Sequence, residues 1–279
     1  MPDWTPILSE LGLGGETPVA VSGGDISSAW RVGNVFLKTG PASSHDMFSA
    51  EAEGLAELAV PGIVRVPEVL ACGAHDDTAY LATEWLQLSR ASRDTEAEFG
   101  KQLALLHETT QERFGWHRDN TIGLTPQHND WSDSWVDFFR EQRLGFQLQL
   151  AAENGFGGAL QEQGARLLRR LPVFFERHEP RPALLHGDLW GGNWASCNGV
   201  PVLFDPAVYY GDPESDLAMT RLFGGFGAAF YEAYAAHKPA ASGSHDRSDL
   251  YQLYHVLNHL NLFGSAYLGR AQELINRLL

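Results

Sequence analysis

Residues 186–193 of this chain read His186-Gly187-Asp188-Leu189-Trp190-Gly191-Gly192-Asn193, and residues 204–206 read Phe204-Asp205-Pro206. Transfer of a phosphoryl group to a hydroxyl needs a carboxylate beside the attacking oxygen. It also needs an Asn and a second carboxylate that hold Mg²⁺. This segment offers all three groups, so we predict that Asp188 is the catalytic residue and that Asn193 and Asp205 are the metal ligands.

A tight turn predicts that these three groups meet in space. Asn198-Gly199 lies between two apolar runs, and Asn-Gly is typical of a type I′ hairpin turn. A hairpin centred on it pairs Asn193 with residue 204, which brings Asn193 and Asp205 together at the open end. Asp188 lies in the loop that enters the hairpin. The alternative, in which these residues only shape a glycine-rich turn and end a strand, explains each of them singly but not their convergence.

Outside this segment the pattern changes from strands to helices along the chain. Short apolar runs at residues 19–21, 29–32, 35–37 and 79–85 are typical of strands, and Gly33-Asn34 indicates a hairpin turn. Helical patterns cover residues 43–58, 96–107, 131–152, 158–175 and 214 to the end, with a β interruption at 183–205. This order predicts an α+β fold with a small β-rich lobe at 1–88 and a larger, mostly helical lobe at 89–279.

A glycine-rich stretch in the first hairpin is a candidate phosphate-binding loop. It contains Gly23, Gly24, Ile26 and Ser27, and glycines there let backbone N–H groups approach phosphates. The same composition also occurs in ordinary turns, so this pattern alone leaves both interpretations open.

Lys38 ends an apolar strand, where a buried ammonium needs a charged partner. On the predicted helix that follows, Glu51 shares the face of Met47, Phe48 and Leu55, whereas the other glutamates point away from it. We therefore predict an ion pair between Lys38 and Glu51. The alternative is a lysine at a strand end that reaches solvent.

Composition limits the classes of function. The chain has 279 residues and a net charge of -15, which argues against a nucleic-acid partner. Two cysteines make no disulfide framework, the first 30 residues contain no Lys or Arg, and no apolar run approaches the length of a membrane span. We therefore expect a cytoplasmic protein with no membrane partner, and the sequence does not predict its oligomeric state.

The segment around Asp188 resembles the catalytic loop of small-molecule phosphotransferases with a protein-kinase-like fold, which include aminoglycoside and choline kinases. Further motifs make the chain resemble the fructosamine kinase (ketosamine 3-kinase) family. They are Gly23-Gly24-Asp25-Ile26-Ser27, Met47-Phe48, Asn120-Thr121-Ile122-Gly123, Pro126-Gln127, Trp131, Trp135, Arg143-Leu144, Asp205-Pro206-Ala207, Tyr210-Gly211, Leu257-Asn258-His259 and Phe263-Gly264.

The resemblance implies a two-lobed protein-kinase-like fold and an enzyme that uses ATP and Mg²⁺. The implied acceptor is the 3-hydroxyl of a ketosamine of the fructosamine or ribulosamine type, as a small molecule or protein-bound, in repair of glycated amines or proteins. The resemblance also implies that Lys38 and Glu51 orient the ATP phosphates and that Glu84-Trp85-Leu86 is a hinge whose backbone binds adenine.

Acceptor-site candidates are Trp190, His255, Asn258 and His259. Trp190 is either a platform for a sugar or amine stem or a core tryptophan. The other three form a polar stripe on a C-terminal helix and either contact substrate or hydrogen-bond within the core. Asp212, Glu214 and Asp216 are expected to cap and charge the start of the next helix.

Two other functions stay open at this stage. The same catalytic groups would serve a kinase for another hydroxylated amine, of the aminoglycoside or choline type. A non-catalytic nucleotide-binding pseudokinase is the alternative of a different class, and the intact set of Lys38, Glu51, Asp188, Asn193 and Asp205 argues against it.

Overall fold

The computed structural model describes residues 4–21 and 27–279. A short helix, α1 (Thr5–Glu10), precedes a five-stranded antiparallel sheet. The strands are β1 (Val19–Val21), β2 (Ser28–Val32), β3 (Val35–Pro41), β4 (Val69–His75) and β5 (Thr78–Glu84), in the spatial order β1-β2-β3-β5-β4. The predicted turn at Gly33-Asn34 joins β2 to β3, and Gly33 has a φ of 58° there. The sequence pattern does not predict the strand β4.

The side chains of β3 alternate between two faces of this sheet. Leu37 packs in a cluster with Ile7 and Leu8 of α1, whereas Lys38 points to the other face, toward α2 (His45–Ala59). The helix α2 matches the predicted helix at residues 43–58, and it buries Phe48, Leu55 and Leu58. This alternation, which follows from the pleat of a strand, brings Lys38 to the face that α2 covers.

The rest of the chain is mainly helical. Its helices are α3 (Arg93–Leu106), α4 (Trp135–Phe138), α5 (Phe146–Glu153), α6 (Ala159–Arg170), α7 (Glu214–Leu222), α8 (Ala228–His237), α9 (Ser244–Phe263) and α10 (Leu268–Leu278). Its short strands are β6 (Leu88–Ser89), β7 (Asn120–Ile122), β8 (Thr125–Gln127), β9 (Ala183–Leu185), β10 (Trp194–Cys197), β11 (Val200–Leu203) and β12 (Tyr209–Gly211). The largest apolar core surrounds α9, which is buried along most of its length.

Two predicted helices are interrupted. The helix expected at residues 131–152 begins only after Ser134, whose side chain caps α4, and a π-helical segment, Phe139–Gly145, joins α4 to α5. The helix expected at 158–175 is α-helical only to Arg170 and continues as the 3₁₀ turn Leu171–Phe175. Pro172 lies in that turn, where it cannot donate an α-helical hydrogen bond.

The division at residues 88 and 89 stays a prediction. The strand β6 contains both residues and pairs with β10, in the three-stranded sheet β11-β10-β6. None of the helices described at residues 4–21 and 27–279 combines the length and apolar character that crossing a bilayer requires.

Candidate active site

The hairpin of β10 and β11 has the predicted register. Trp194 pairs with Leu203, and the Phe204 N–H donates to the Asn193 carbonyl at 3.1 Å. Asn198 and Gly199 at the turn have φ values of 53° and 83°, as a type I′ turn requires. The two-residue turn therefore fixes which residues meet at the open end of the hairpin.

Asn193 joins the other two predicted catalytic groups. Its Nδ2 donates to the Asp188 carbonyl at 2.8 Å, to Asp188 Oδ2 at 3.2 Å and to the Asp205 carbonyl at 3.4 Å. The Asn193 Oδ1 receives no hydrogen bond from any described residue. A Cβ on Gly187, whose φ is 83°, would lie 1.9 Å from the Ala207 carbonyl oxygen, so only glycine fits where the two segments touch.

The environment of Asp188 favours its protonated form. Burial of the carboxylate and the nearby Asp205 carboxylate raise the pKa of Asp188 to about 7, although the hydrogen bond from Asn193 acts in the opposite direction. A carboxylate with a pKa near neutrality can accept a proton late in a reaction, as acid–base catalysis requires.

His186 supports the backbone of this loop. Its Nε2 donates to the Phe204 carbonyl at 3.0 Å, and its Nδ1 accepts from the Asp188 N–H at 3.3 Å. Burial lowers the pKa of His186, in keeping with the neutral ring that these two contacts define. Both ring nitrogens are therefore hydrogen-bonded, one to the backbone of Asp188 and the other to the backbone of Phe204, which precedes Asp205.

Lys38 forms the predicted ion pair and a second one. Its Nζ lies 2.7 Å from Glu51 Oε1 and 2.5 Å from Asp205 Oδ1. Burial disfavours the ammonium, but the two carboxylates outweigh burial and hold the pKa of Lys38 above its usual value. The charged lysine thus links β3, α2 and the loop that follows β11.

Asp216 on α7 anchors the loop that carries Asp188, a role that the sequence did not predict. Its two carboxylate oxygens accept from the N–H groups of His186 and Gly187 at 2.8 and 2.9 Å, and Oδ2 lies 3.3 Å from His107 Nε2. Asp216 lies in the first turn of α7, as the sequence predicts, but it is only 1% exposed and its carboxylate is turned inward. Its position one helical turn before the buried Met219 is the signal that could have indicated an inward direction.

A second network supports the residues after Asp205. Gln127 Nε2 donates to the Ala207 carbonyl at 3.0 Å, and Asn120 Nδ2 donates to the Val208 carbonyl at 2.8 Å. Asn129 joins Asn120 to the fully buried Arg143, whose Nη2 lies 2.7 Å from Asn129 Oδ1. These contacts span many residues of sequence, so no local pattern could have predicted them.

A cavity of about 920 Å³ lies between the five-stranded sheet and the helical part. The predicted residues that line it are Ser27, Lys38, Glu51, Glu84, Trp85, Leu86, Asp188, Trp190, Asn193, Asp205, Asn258 and His259. The predicted Gly23, Gly24 and Ile26 lie outside the described residues. His255 is not among the residues that line the cavity, and it is buried within the core.

Residues 84–86 have the backbone that a hinge would need. The N–H of Glu84 donates to the Glu68 carbonyl and that of Trp85 to the Asn34 carbonyl, at 2.9 and 2.8 Å. Within residues 4–21 and 27–279, the Leu86 N–H has no acceptor, and Leu86 faces the cavity. A planar base in the cavity could therefore accept from this N–H.

The acceptor-site candidates differ in how much of each side chain is exposed to the cavity and unoccupied by other contacts. Asn258 is buried, and its amide already contacts Gln147 and the Ile122 carbonyl. Trp190 is 40% exposed and contacts Phe223 edge-on, so its ring is on the cavity wall and not in the core.

Comparison with known proteins identifies relatives over nearly the whole chain. The family model described as Fructosamine kinase matches residues 14–279. A protein of Synechocystis named a probable ketoamine kinase is 45% identical over 266 residues, 93% of this chain and 89% of its own. A chloroplastic protein-ribulosamine 3-kinase of Arabidopsis thaliana is 41% identical over 265 residues, 92% of this chain and 81% of its own.

Solved structures agree with this result. The crystal structure of a candidate fructosamine-3-kinase from Haemophilus somnus superposes with a TM-score of 0.88 at 30% identity, and the match covers 99% of this chain and 96% of that one. An ADP-bound aminoglycoside phosphotransferase superposes with a TM-score of 0.66 at 14% identity, over 98% of this chain and 95% of that one. The second likeness concerns the fold alone, which is the predicted kinase-like one.

Proposed function

This chain belongs to the fructosamine kinase family, and from that premise we propose that it transfers the γ-phosphoryl group of ATP to the 3-hydroxyl of a ketosamine. The acceptor would be an amine bearing a fructose- or ribulose-derived ketose, free or attached to a protein. The 3-phosphate then decomposes and frees the amine, which would repair glycated amines or proteins. The observation that carries the proposal is the convergence of Asp188, Asn193, Asp205 and Lys38 on one cavity.

Asp188 would orient the acceptor hydroxyl and take its proton. A bond forms between the acceptor oxygen and the γ-phosphorus, while the bond from that phosphorus to the bridging oxygen of ADP breaks. The hydroxyl proton passes to the Asp188 carboxylate, and the hydrogen bond from Asn193 Nδ2 keeps that carboxylate in position. Asp216 and His186 would act on Asp188 through the loop backbone.

Lys38 would bind phosphate oxygens, with Glu51 fixing the direction of its ammonium. The donors of the site also suit Mg²⁺, which prefers oxygen ligands. Asn193 Oδ1 has no donor among the described residues, and the Asp205 carboxylate faces the same cavity. These two residues would hold the ion, which when bound would offset the negative charge of the phosphates.

We further propose that residues 1–88 form the ATP-binding lobe and residues 89–279 the catalytic and acceptor-binding lobe. Gly23, Gly24, Ile26 and Ser27 would approach the phosphates, and the free Leu86 N–H supports adenine binding at residues 84–86. Cys72 and Cys197 are free thiols, which suits a reducing cytoplasm.

An acceptor panel tests the proposed function. The protein is incubated with ATP, Mg²⁺ and, separately, fructosamines, ribulosamines, aminoglycosides and choline, and phosphorylated products are identified by mass spectrometry and ³¹P NMR. We expect a 3-phosphate on ketosamines. Phosphorylation of an aminoglycoside or choline and of no ketosamine would assign the enzyme to another acceptor, and absence of turnover on every acceptor would support a pseudokinase.

A further inference from the structure

We propose that the amine side of the acceptor binds in an aromatic corner of the cavity, formed by Trp190, Phe223, His259, Phe263 and Tyr267. The enzyme would therefore prefer ketosamines whose amine carries an apolar or aromatic substituent over those whose amine carries a carboxylate. This inference rests on the proposed function and adds to it the class of amine that the site selects.

His259 is the centre of this aromatic corner. Its ring centroid lies 4.8 Å from that of Phe223, 5.1 Å from that of Tyr267 and 5.5 Å from that of Phe263. Trp190 continues the wall through Phe223, at 6.4 Å and nearly perpendicular. Because Trp190 follows Asp188 by two residues in the catalytic loop, the aromatic wall extends from beside the proposed catalytic carboxylate outward.

The rings are exposed although they are apolar. Phe263 is 54% exposed and Phe223 is 43% exposed, and each lies at the C-terminal end of a helix, α9 and α7 respectively. Single exposed apolar residues are common, but a cluster of exposed rings on one wall of a cavity is typical of a binding site. An open rim also leaves room for a large substituent on the amine.

The aromatic corner carries no charge. Among the described residues that line the cavity, the charged side chains are Lys38, Glu51, Glu84, Asp188 and Asp205, and none of them belongs to the corner. Lys38 and Glu84 lie on the five-stranded sheet and Glu51 lies on α2, whereas Asp188 precedes the hairpin of β10 and β11 and Asp205 follows it. An anionic substituent would therefore lose its hydration in the corner without gaining a cationic partner.

The protonation of His259 agrees with an uncharged wall. Its Nδ1 lies 2.8 Å from the His255 carbonyl, which can only accept, so Nδ1 carries the hydrogen. Burial lowers the pKa of His259, so the ring is neutral near pH 7 and Nε2 is an acceptor. No described residue donates to this Nε2.

These features suit the chemistry of a ketosamine nitrogen. A secondary ammonium has N–H groups to donate, and aromatic faces attract a single positive charge. Apolar substituents on the nitrogen gain contact with the exposed rings. An aminoglycoside carries several ammonium groups, which would need carboxylates, and the corner offers none.

Two acceptors with the same ketose test the inference. One is the fructosamine of benzylamine, which has an aromatic substituent, and the other is the fructosamine of glycine, which has a carboxylate. We expect a lower KM for the benzylamine derivative. Phe263→Ala should raise that KM by about 2- to 10-fold, as expected for the loss of one aromatic contact, and should raise the KM for the glycine derivative less.

Two variants serve as controls, and the KM for ATP is measured throughout. Phe263→Tyr keeps the ring and should retain the preference for the benzylamine derivative. Trp131→Ala removes an exposed aromatic side chain outside the cavity and should not alter that preference. Phe223→Ala provides a second test of the wall. Equal KM values for both ketosamines, unchanged in Phe263→Ala and Phe223→Ala, would overturn the inference and leave the proposed function standing. Failure to phosphorylate either ketosamine would overturn the proposed function itself.

Discussion

Lys38 is the residue on which the charged side chains of the proposed nucleotide half of the cavity converge. Its ammonium contacts carboxylates from α2 and from the loop after β11, and it is the only cationic side chain among the described residues that line the cavity. Phosphates entering the cavity would therefore meet this one positive side chain beside several carboxylates. The backbone of residues 84–86, by contrast, contributes no charge.

Replacement of Lys38 by Met should separate phosphate orientation from adenine binding. We expect Lys38→Met to lower kcat/KM for ATP by about 10²–10³-fold, the range for loss of one preorganised electrostatic contact. Binding of adenosine, measured by calorimetry, should change little. Lys101→Met is the matched control, because Lys101 is exposed on α3, where its ammonium lies 4.0 Å from the Glu98 carboxylate. Full activity in Lys38→Met would mean that this lysine only neutralises its carboxylate neighbours.

At the scale of elements, the hairpin of β10 and β11 determines which of the proposed catalytic and metal-binding residues meet. Gly199→Ala places a Cβ at a φ of 83°, where an L-residue is strained, and should lower the free energy of unfolding by about 1–2 kcal/mol. Gly157→Ala is the control, since Gly157 is also exposed, has open space where a Cβ would lie and has no left-handed φ. Urea unfolding measures the stability of each variant. Equal stability of the two variants would contradict the requirement for glycine at the left-handed φ of residue 199.

The helix α7 holds the catalytic loop through Asp216. Burial alone would raise the pKa of Asp216, but hydrogen bonds from His107 and the Gly187 N–H outweigh it, and the pKa lies below its ordinary value of 3.8. A carboxyl group whose pKa falls on folding stabilises the fold above its unfolded pKa. That contribution is lost as the pH falls through the folded-state pKa.

Asp216→Asn should therefore destabilise the protein in a pH-dependent way. Near neutral pH we expect a loss of about 1.5–3 kcal/mol, the range for a hydrogen bond to a charged group. The difference from the parent protein should shrink below a pH of about 4, where the parent loses the same contribution. The measurement is urea unfolding near neutral pH and again below a pH of about 4. Asp246→Asn is the control, because Asp246 is an exposed acid in the first turn of α9. A pH-independent difference would contradict an ionised Asp216.

At the scale of the whole molecule, local rules explain what the sequence predicted. An Asn-Gly turn sets the register that joins Asn193 to Asp205, and helical periodicity turns Glu51 toward Lys38. Both follow from spacing within a few tens of residues. The mixed β and helical architecture follows in the same way from the order of the patterns.

Contacts between distant segments could not be predicted from the sequence. The role of Asp216 depends on His107 and His186, and Gln127 meets Ala207 only because β7 and β8 pack against the loop after Asp205. An aspartate that is buried and accepts from backbone N–H groups cannot be distinguished by residue type from an aspartate that charges the start of a helix. Only the tertiary arrangement distinguishes the two, so the sequence indicated the position of Asp216 at the start of α7 but not its contacts with the backbone of His186 and Gly187.

The proposed phosphoryl transfer depends on Asp188 as the group that takes the proton of the acceptor hydroxyl. Asp188→Asn keeps the shape of the side chain and can still accept from Asn193 Nδ2, but it cannot take that proton. Steady-state kinetics on a ketosamine and ATP titration of the same variant measure the two effects separately, with Asp133→Asn, whose side chain is 88% exposed, as the control. We predict that kcat falls by about 10²–10⁴-fold while ATP affinity is retained. A kcat within a few-fold of the parent on every ketosamine would contradict the mechanism.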